Sequence, residues 1–279
     1  MRHGRLSALA LCVWIFMSVI LVRPLSVQAE EMSMLSSVQT EEMLPPHLIQ
    51  TVTERDIYEG LLALELLESR ALKKKDCEAA YENVKACVVR LDMGKAYGSG
   101  VIWKMMPDQI VIVTNKHVLE YWDESVSSVH FWQNVSVPAS ILNESEDYDI
   151  GFLVVDSSKL DYGILEQLQY VHWDMAAYQS LQSGDEMFCV GAGNEIVQDE
   201  EELYFYQGNI GDMWQYIDEF AGYMIYAHGN AVPGMSGGGT FDAKGNFIGM
   251  ISGGTTKEET ASVPLPVIIE AFEELSTAQ

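Results

Sequence analysis

The segment Pro233-Gly234-Met235-Ser236-Gly237-Gly238-Gly239 sets one hydroxyl among four glycines. Glycine has no Cβ, so the backbone around Ser236 can approach a bound molecule closely and turn successive N–H groups towards one point. An acyl transfer needs that arrangement: an oxygen nucleophile beside amides that stabilise the charge developing on a carbonyl oxygen. Gly234 and Ser236 are the candidate amide donors, and one such donor is worth on the order of 3 kcal/mol. A glycine-rich turn between two strands would have the same composition. The segment therefore has to find its chemical partners elsewhere in the chain.

Serine is a poor nucleophile near neutral pH and requires a base. In the nucleophile elbow Gly-x-Ser-x-Gly the acid and the histidine follow the serine, but the last histidine of this chain, His228, precedes Ser236. Two upstream segments supply the opposite order. Val113-Thr114-Asn115-Lys116-His117 puts a histidine just past an apolar run, and Asp147-Tyr148-Asp149-Ile150 puts an acid just before one. In these positions His117 would take the serine proton and return it to a leaving amine, while Asp149 would hold the imidazole in the useful tautomer. Asp147 competes with Asp149, since residues two apart share a strand face. His130, His172 and His228 are read as surface or structural histidines.

These three segments resemble the histidine, aspartate and serine motifs of trypsin-like, chymotrypsin-fold serine peptidases, and most of all the bacterial branch that includes the HtrA/Deg protease domain. Gly98-Ser99-Gly100-Val101-Ile102, Ser183-Gly184-Asp185-Glu186 with Val190-Gly191, and Gln207-Gly208-Asn209-Ile210 extend the likeness over roughly residues 85–275. The resemblance implies a double β-barrel with the triad His117, Asp149 and Ser236 in the cleft between barrels, and peptide-bond hydrolysis through an acyl-enzyme. It also implies a substrate-pairing strand at Ser252-Gly253-Gly254, with the Ser252 hydroxyl supporting the acid and Gly254 forming a pocket wall. Asn230 stands where trypsin-like enzymes keep an acid for basic side chains, so a Lys or Arg preference is not implied. Met235 replaces the aspartate used in zymogen activation, and Gly239 the usual proline. No PDZ domain is expected after Ser236. The rival function is a weak or inactive domain of the same fold that binds peptides or a partner at the cell surface.

Positioning such a site calls for many short strands, and from Cys87 onwards the sequence supplies them. Cys87–Leu91, Gly100–Trp103, Gln109–Val113, Ile150–Val155, Glu186–Val190 and Asn246–Ile251 are β-branched and aromatic runs separated by Gly, Asn and Asp, the texture of an all-β barrel or sandwich. Leu265–Leu275 reads as a C-terminal helix. A second helix is expected from Thr53, where Thr53-Glu-Arg-Asp56 forms a capping-box-like start. Its apolar positions run through Ile57, Leu61, Leu64 and Leu67, with Lys73-Lys74-Lys75 at its C-terminal end.

The chain begins with basic residues and an apolar run over residues 6–22, followed by Val27-Gln28-Ala29, a small-residue cleavage site. That pattern is an export signal, and the length of the run also suits an uncleaved membrane anchor. The expected organisation is a signal peptide or anchor at 1–29, an acidic linker at 30–52, a helical extension at 53–84 and the protease-like domain at 85–279. With 41 acidic against 16 basic residues the net charge is −25, which argues against nucleic acid as a partner. The partners expected are protein or peptide substrates. Histidines and cysteines lack the close spacing of a zinc site, and no phosphate-binding glycine loop is present, so neither metal nor cofactor is expected. Cys77, Cys87 and Cys189 are read as buried free thiols.

Overall fold

The structure is a computed structural model that describes residues 52–131, 135–193 and 203–277; the export signal and nearly all of the acidic linker lie outside them. The chain forms two compact units, one ending at Gly60 and one running from Leu61.

The first unit holds the start of helix α1 (Glu54–Ala63). Its capping box forms as the sequence suggests, with the Thr53 amide donating to Asp56 Oδ2 at 2.8 Å and the Asp56 amide to Thr53 Oγ1 at 3.2 Å. The helix does not continue to the lysine run. It ends at Ala63, and Glu65 takes a left-handed φ of 54°. The following chain is held by backbone bonds instead: the Ser69 amide donates to Tyr170 O, Leu72 to Lys244 O and Asp76 to Ala243 O. The lysines thus lie in a non-helical stretch that bends at Lys73 and Lys74, and Lys75 pairs with Asp185 at 2.8 Å. Helicity resumes at α2 (Cys77–Val84), capped by the Asp76 side chain on the Ala79 amide.

Two β-sheets make up the rest. The first contains β1 (Val88–Asp92), β2 (Tyr97–Met105), β3 (Gln109–Thr114), β4 (Ser128–Phe131), β5 (Val135–Val137), β6 (Ser140–Glu144) and β7 (Gly151–Asp156), in the order β5-β4-β1-β2-β3-β7-β6. The second is a closed barrel, β10-β13-β12-β11-β8-β9. Its strands are β8 (Glu186–Ala192), β9 (Leu203–Ile217), β10 (Gly222–His228), β11 (Gly239–Asp242), β12 (Phe247–Gly254) and β13 (Glu259–Pro264). All pairings between these strands are antiparallel. Short helices α3 (Lys116–Leu119), α4 (Tyr162–Leu165) and α5 (Met175–Ser180) punctuate the chain, and α6 (Leu265–Thr277) closes it.

The apolar runs read from the sequence fall on β1, β2, β3, β7, β8 and β12. Their side chains are buried on both faces, as Ile110 to Val113 and Met187 to Val190 show. One core joins the two sheets: Trp103 and Phe152 from the first meet Phe272 of α6 at 5.8 and 5.5 Å between ring centroids, and Trp103 also meets Phe247 of β12 at 6.1 Å. Cys77, Cys87 and Cys189 are free and buried.

Candidate active site

β3 ends at Thr114, and Asn115 is an extended N-cap (φ −76°, ψ 147°) from which α3 starts at once. That turn carries His117 off the end of the strand. Asparagine at an N-cap normally bonds the first free helical amides, yet here its side chain is used elsewhere. The Asp149 carboxylate does the capping: Oδ1 accepts the His117 amide at 2.9 Å, while Oδ2 meets the ring nitrogen Nδ1 at 2.8 Å. One carboxylate therefore fixes both the backbone and the imidazole of His117, leaving Nε2 outside that contact. The contact with Nδ1 favours a proton on that nitrogen and an accepting Nε2.

Asp149 is itself positioned by a tight turn, with the Ile150 amide donating to Tyr148 O at 2.8 Å and the Ser145 amide to Ile150 O at 2.9 Å. Lys116 Nζ anchors the same turn through Ser145 O at 2.7 Å. Asp147 lies on the exposed side and is not brought to the histidine.

Two β-turns share Met235, and Ser236 is the second residue of the latter. The Met235 amide donates to Val232 O at 3.1 Å and the Gly238 amide to Met235 O at 2.9 Å. Gly234 (φ 97°) and Gly237 (φ 87°) occupy the third position of each, the site that a type II turn reserves for positive φ, and Pro233 fits the second position of the first. At Gly237 a Cβ would lie 2.0 Å from Ser99 O and 2.3 Å from Thr114 Oγ1. Gly234 and Ser236 amides have no hydrogen-bond partner among the described residues. They are two free donors flanking the serine.

The Ser236 hydroxyl donates to Ser252 O at 3.3 Å, and no bond to His117 is formed. Nucleophile and base are often loosely engaged before a substrate binds. Met235 is fully buried, and its sulfur accepts the Val232 amide at 3.4 Å, bracing the first turn from within. Gly239 faces Phe241, whose ring would lie 2.4 Å from a Cβ there, so the usual proline has no room.

Two contributors were not recognised as site residues from the sequence. Ser99 of β2, fully buried, donates its amide to Ser236 O and its hydroxyl to Gly234 O, each at 2.8 Å, accepts the Ala192 amide at 2.8 Å and receives Thr114 Oγ1 on its carbonyl at 2.7 Å. Asn115, also fully buried, donates Nδ2 to Asp149 O at 3.1 Å and to Ser252 Oγ at 2.9 Å. The Ser252 hydroxyl is thus linked to Asp149 through Asn115, which bonds the backbone carbonyl of the acid. The signal for both was available in principle, as polar residues between glycines or beside the histidine at strand ends.

On the other side of Ser236, β12 pairs with β13 as far as Gly254 opposite Thr260, whereas its pairing with β11 stops at Met250 opposite Gly239. Beyond the Ile251 bonds to Gly237 and Gly238, no strand among the described residues pairs with the second edge at Ser252, Gly253 and Gly254. Ala231 approaches Gly254, with 3.0 Å between its Cβ and a Cβ built there. The preceding Asn230 is partly buried. The other histidines lie apart: His130 is 3.5 Å from Asp92, His172 is 2.9 Å from Glu68, and the His228 ring packs edge-on to Tyr226 at 5.1 Å.

A curled sheet and a closed barrel sharing one core, with helices at both ends, are the chymotrypsin-like double-barrel fold. The family model for the trypsin-like peptidase domain matches residues 98–250, more than half of the chain, and the chain belongs to that family. Among solved structures it is similar to the HtrA-type protease AlgW with a tripeptide, at 20% identity and a TM-score of 0.59, covering 72% of this chain and 63% of that one. It is likewise similar to the serine endoprotease from Yersinia pestis, at 17% identity and a TM-score of 0.57, covering 73% and 68%. The chain thus spans less than two thirds of the length of the AlgW structure. A comparison with curated proteins finds no match.

Proposed function

We propose that the chain is an exported serine endopeptidase that hydrolyses peptide bonds through an acyl-enzyme, with Ser236 as nucleophile, His117 as general base and then general acid, and Asp149 as the group that orients the histidine. The observation that carries this reading is the double hold of Asp149 on His117, at 2.9 Å to its amide and 2.8 Å to Nδ1. Rotation of Ser236 about χ1 exchanges its resting bond to Ser252 O for one to Nε2. As Oγ attacks the scissile carbonyl its proton passes to Nε2, and the free amides of Gly234 and Ser236 receive the oxyanion. The protonated imidazole, stabilised by Asp149, then gives the proton to the leaving amine, and water repeats the sequence on the acyl-enzyme.

The substrate backbone adds as an antiparallel strand to the open edge Ser252-Gly253-Gly254, a mode in which backbone bonds supply affinity and side-chain pockets supply preference. Ala231 and Gly254 form walls of the pocket for the residue before the scissile bond, and Asn230 leaves it without a fixed charge. Export rests on the sequence of residues 1–29.

A fluorophosphonate probe should label the wild type and not Ser236→Ala, and His117→Ala should abolish turnover of a casein-like substrate. Equal labelling of wild type and Ser236→Ala would overturn the catalytic reading and favour the binding-only alternative.

A further inference from the structure

The hairpin of β9 and β10 reaches back over the open edge of β12. Its tip is a single 3-10 turn, Asp218–Phe220, closed by Ala221 in the left-handed region (φ 48°, ψ 31°) with its amide on Asp218 O. A non-glycine residue there is uncommon and has to be held by its surroundings. The reversal at Ala221 directs Phe220 towards Gly253, where its Cζ lies 3.0 Å and its Cε1 3.6 Å from a Cβ built on the glycine. The ring therefore fills the space that a side chain at position 253 would occupy.

We propose that Phe220 forms an apolar subsite of the peptide cleft. The inference rests on the reading that the edge Ser252-Gly253-Gly254 takes a peptide strand. Residues directly opposite one another in an antiparallel pair put their side chains on the same face. The substrate residue opposite Gly253 accordingly lays its side chain on the Phe220 face, where an aliphatic or aromatic group buries against the ring and an acidic one does not. Asp218 and Glu219, both exposed on the same turn, add repulsion towards a carboxylate. The hairpin that carries the ring is stiffened by an aromatic group on its strands behind the tip: Trp214 stacks on Tyr223 at 5.6 Å and 12°, and Tyr216 meets Tyr223 edge-on at 5.3 Å.

The test measures binding in the Ser236→Ala protein, so that it does not depend on turnover. Fluorescein-labelled peptides carrying Leu, Phe, Ser or Glu at each of the four positions before the scissile bond are compared by fluorescence anisotropy. One position should favour Leu and Phe over Glu by about tenfold or more. Ser236→Ala/Phe220→Ala should lose that discrimination, and Ser236→Ala/Phe220→Leu should keep it for Leu, with circular dichroism showing both folded. Undiminished discrimination in the Phe220→Ala protein, or no discriminating position at all, overturns the proposal. Fluorophosphonate labelling separates the two readings. A labelled wild type without discrimination sinks the subsite alone, and an unlabelled wild type with Phe220-dependent discrimination sinks the catalytic reading alone.

Discussion

The Ser99 hydroxyl on the first sheet donates to the Gly234 carbonyl near Ser236 at 2.8 Å, and the hydroxyl oxygen accepts the Ala192 amide from the second sheet at 2.8 Å. With both bonds in place the peptide after Gly234 cannot rotate freely, so the turn that exposes the Gly234 amide is held open by a residue that never touches substrate. Ser99 is a positioning residue in this sense. Ser99→Ala should lower kcat by roughly ten- to a hundredfold, less than the full loss of an oxyanion donor, with KM little changed. It should also cost about 1–3 kcal/mol of stability, since the part-buried Gly234 carbonyl and the buried Ala192 amide lose their partner. A rise in KM at unchanged kcat would contradict this role.

Asp149 uses its two oxygens for different tasks, and Asp149→Asn separates them. The amide oxygen can still accept the His117 N–H and cap α3, but the amide NH2 set against Nδ1 selects the wrong tautomer. The variant should therefore melt close to the wild type while kcat falls on the order of 10⁴-fold. Retention of more than a tenth of the wild-type kcat would remove Asp149 from the mechanism.

Chain order singled out His117, Asp149 and Ser236 as candidates, because a histidine, an aspartate and a serine each sit next to a strand signal. The strands most legible in the sequence are those buried on both faces, such as β3 and β8, whose apolar runs leave little ambiguity. β9 and β10 were harder to read: exposed Trp214, Tyr216 and Tyr223 and the glycines Gly208 and Gly211 blur the alternation on a long hairpin. The helix from Thr53 was read too long for a related reason. Its apolar spacing continues past Ala63 to Leu64 and Leu67, but the backbone bonds at Ser69, Leu72 and Asp76 draw the chain out, and tertiary pairing outweighs a weak local preference. Ser99 bonds Ala192 and Gly234, 93 and 135 residues away in sequence, and Phe220 lies against the distant Gly253. No local period reports such contacts.

Asn115 ties the carbonyl of Asp149 to the hydroxyl of Ser252 across the two sheets. Asn115→Ala leaves both without that donor and should destabilise the fold by about 1–3 kcal/mol. Asn115→Asp should be worse near neutral pH, because it sets a buried carboxylate against the Asp149 carbonyl. Burial raises the pKa of that introduced acid above its unfolded value, so the folded state binds its proton more tightly. Stability is then recovered as pH falls towards the unfolded pKa and lost as pH rises through the folded one. Thermal denaturation from pH 7 to pH 5 should narrow the gap between the two variants; a gap that widens would refute the account.

The buried thiols give a readout of the fold that is independent of catalysis. Desolvation pushes Cys87 and Cys189 up to about 12, against the hydrogen bonds from Ser69 and Thr240, and Cys77 up to about 11, with Glu186, Asp76 and Asp242 adding to the effect of burial. Only the thiolate reacts readily with iodoacetamide, so at pH 8 these three positions should stay unmodified in the native protein and become labelled on unfolding in urea. The raised values also have a consequence for stability. The unfolded thiols ionise near about 8.5 while the folded ones keep their protons, so this contribution is complete below about pH 8.5 and is lost as pH rises towards the folded values. Peptide mapping by mass spectrometry after a short pulse of iodoacetamide, with and without denaturant, checks the first point. Rapid labelling of Cys87 or Cys189 in the folded protein would mean that the sheet junction opens far more readily than its packing indicates.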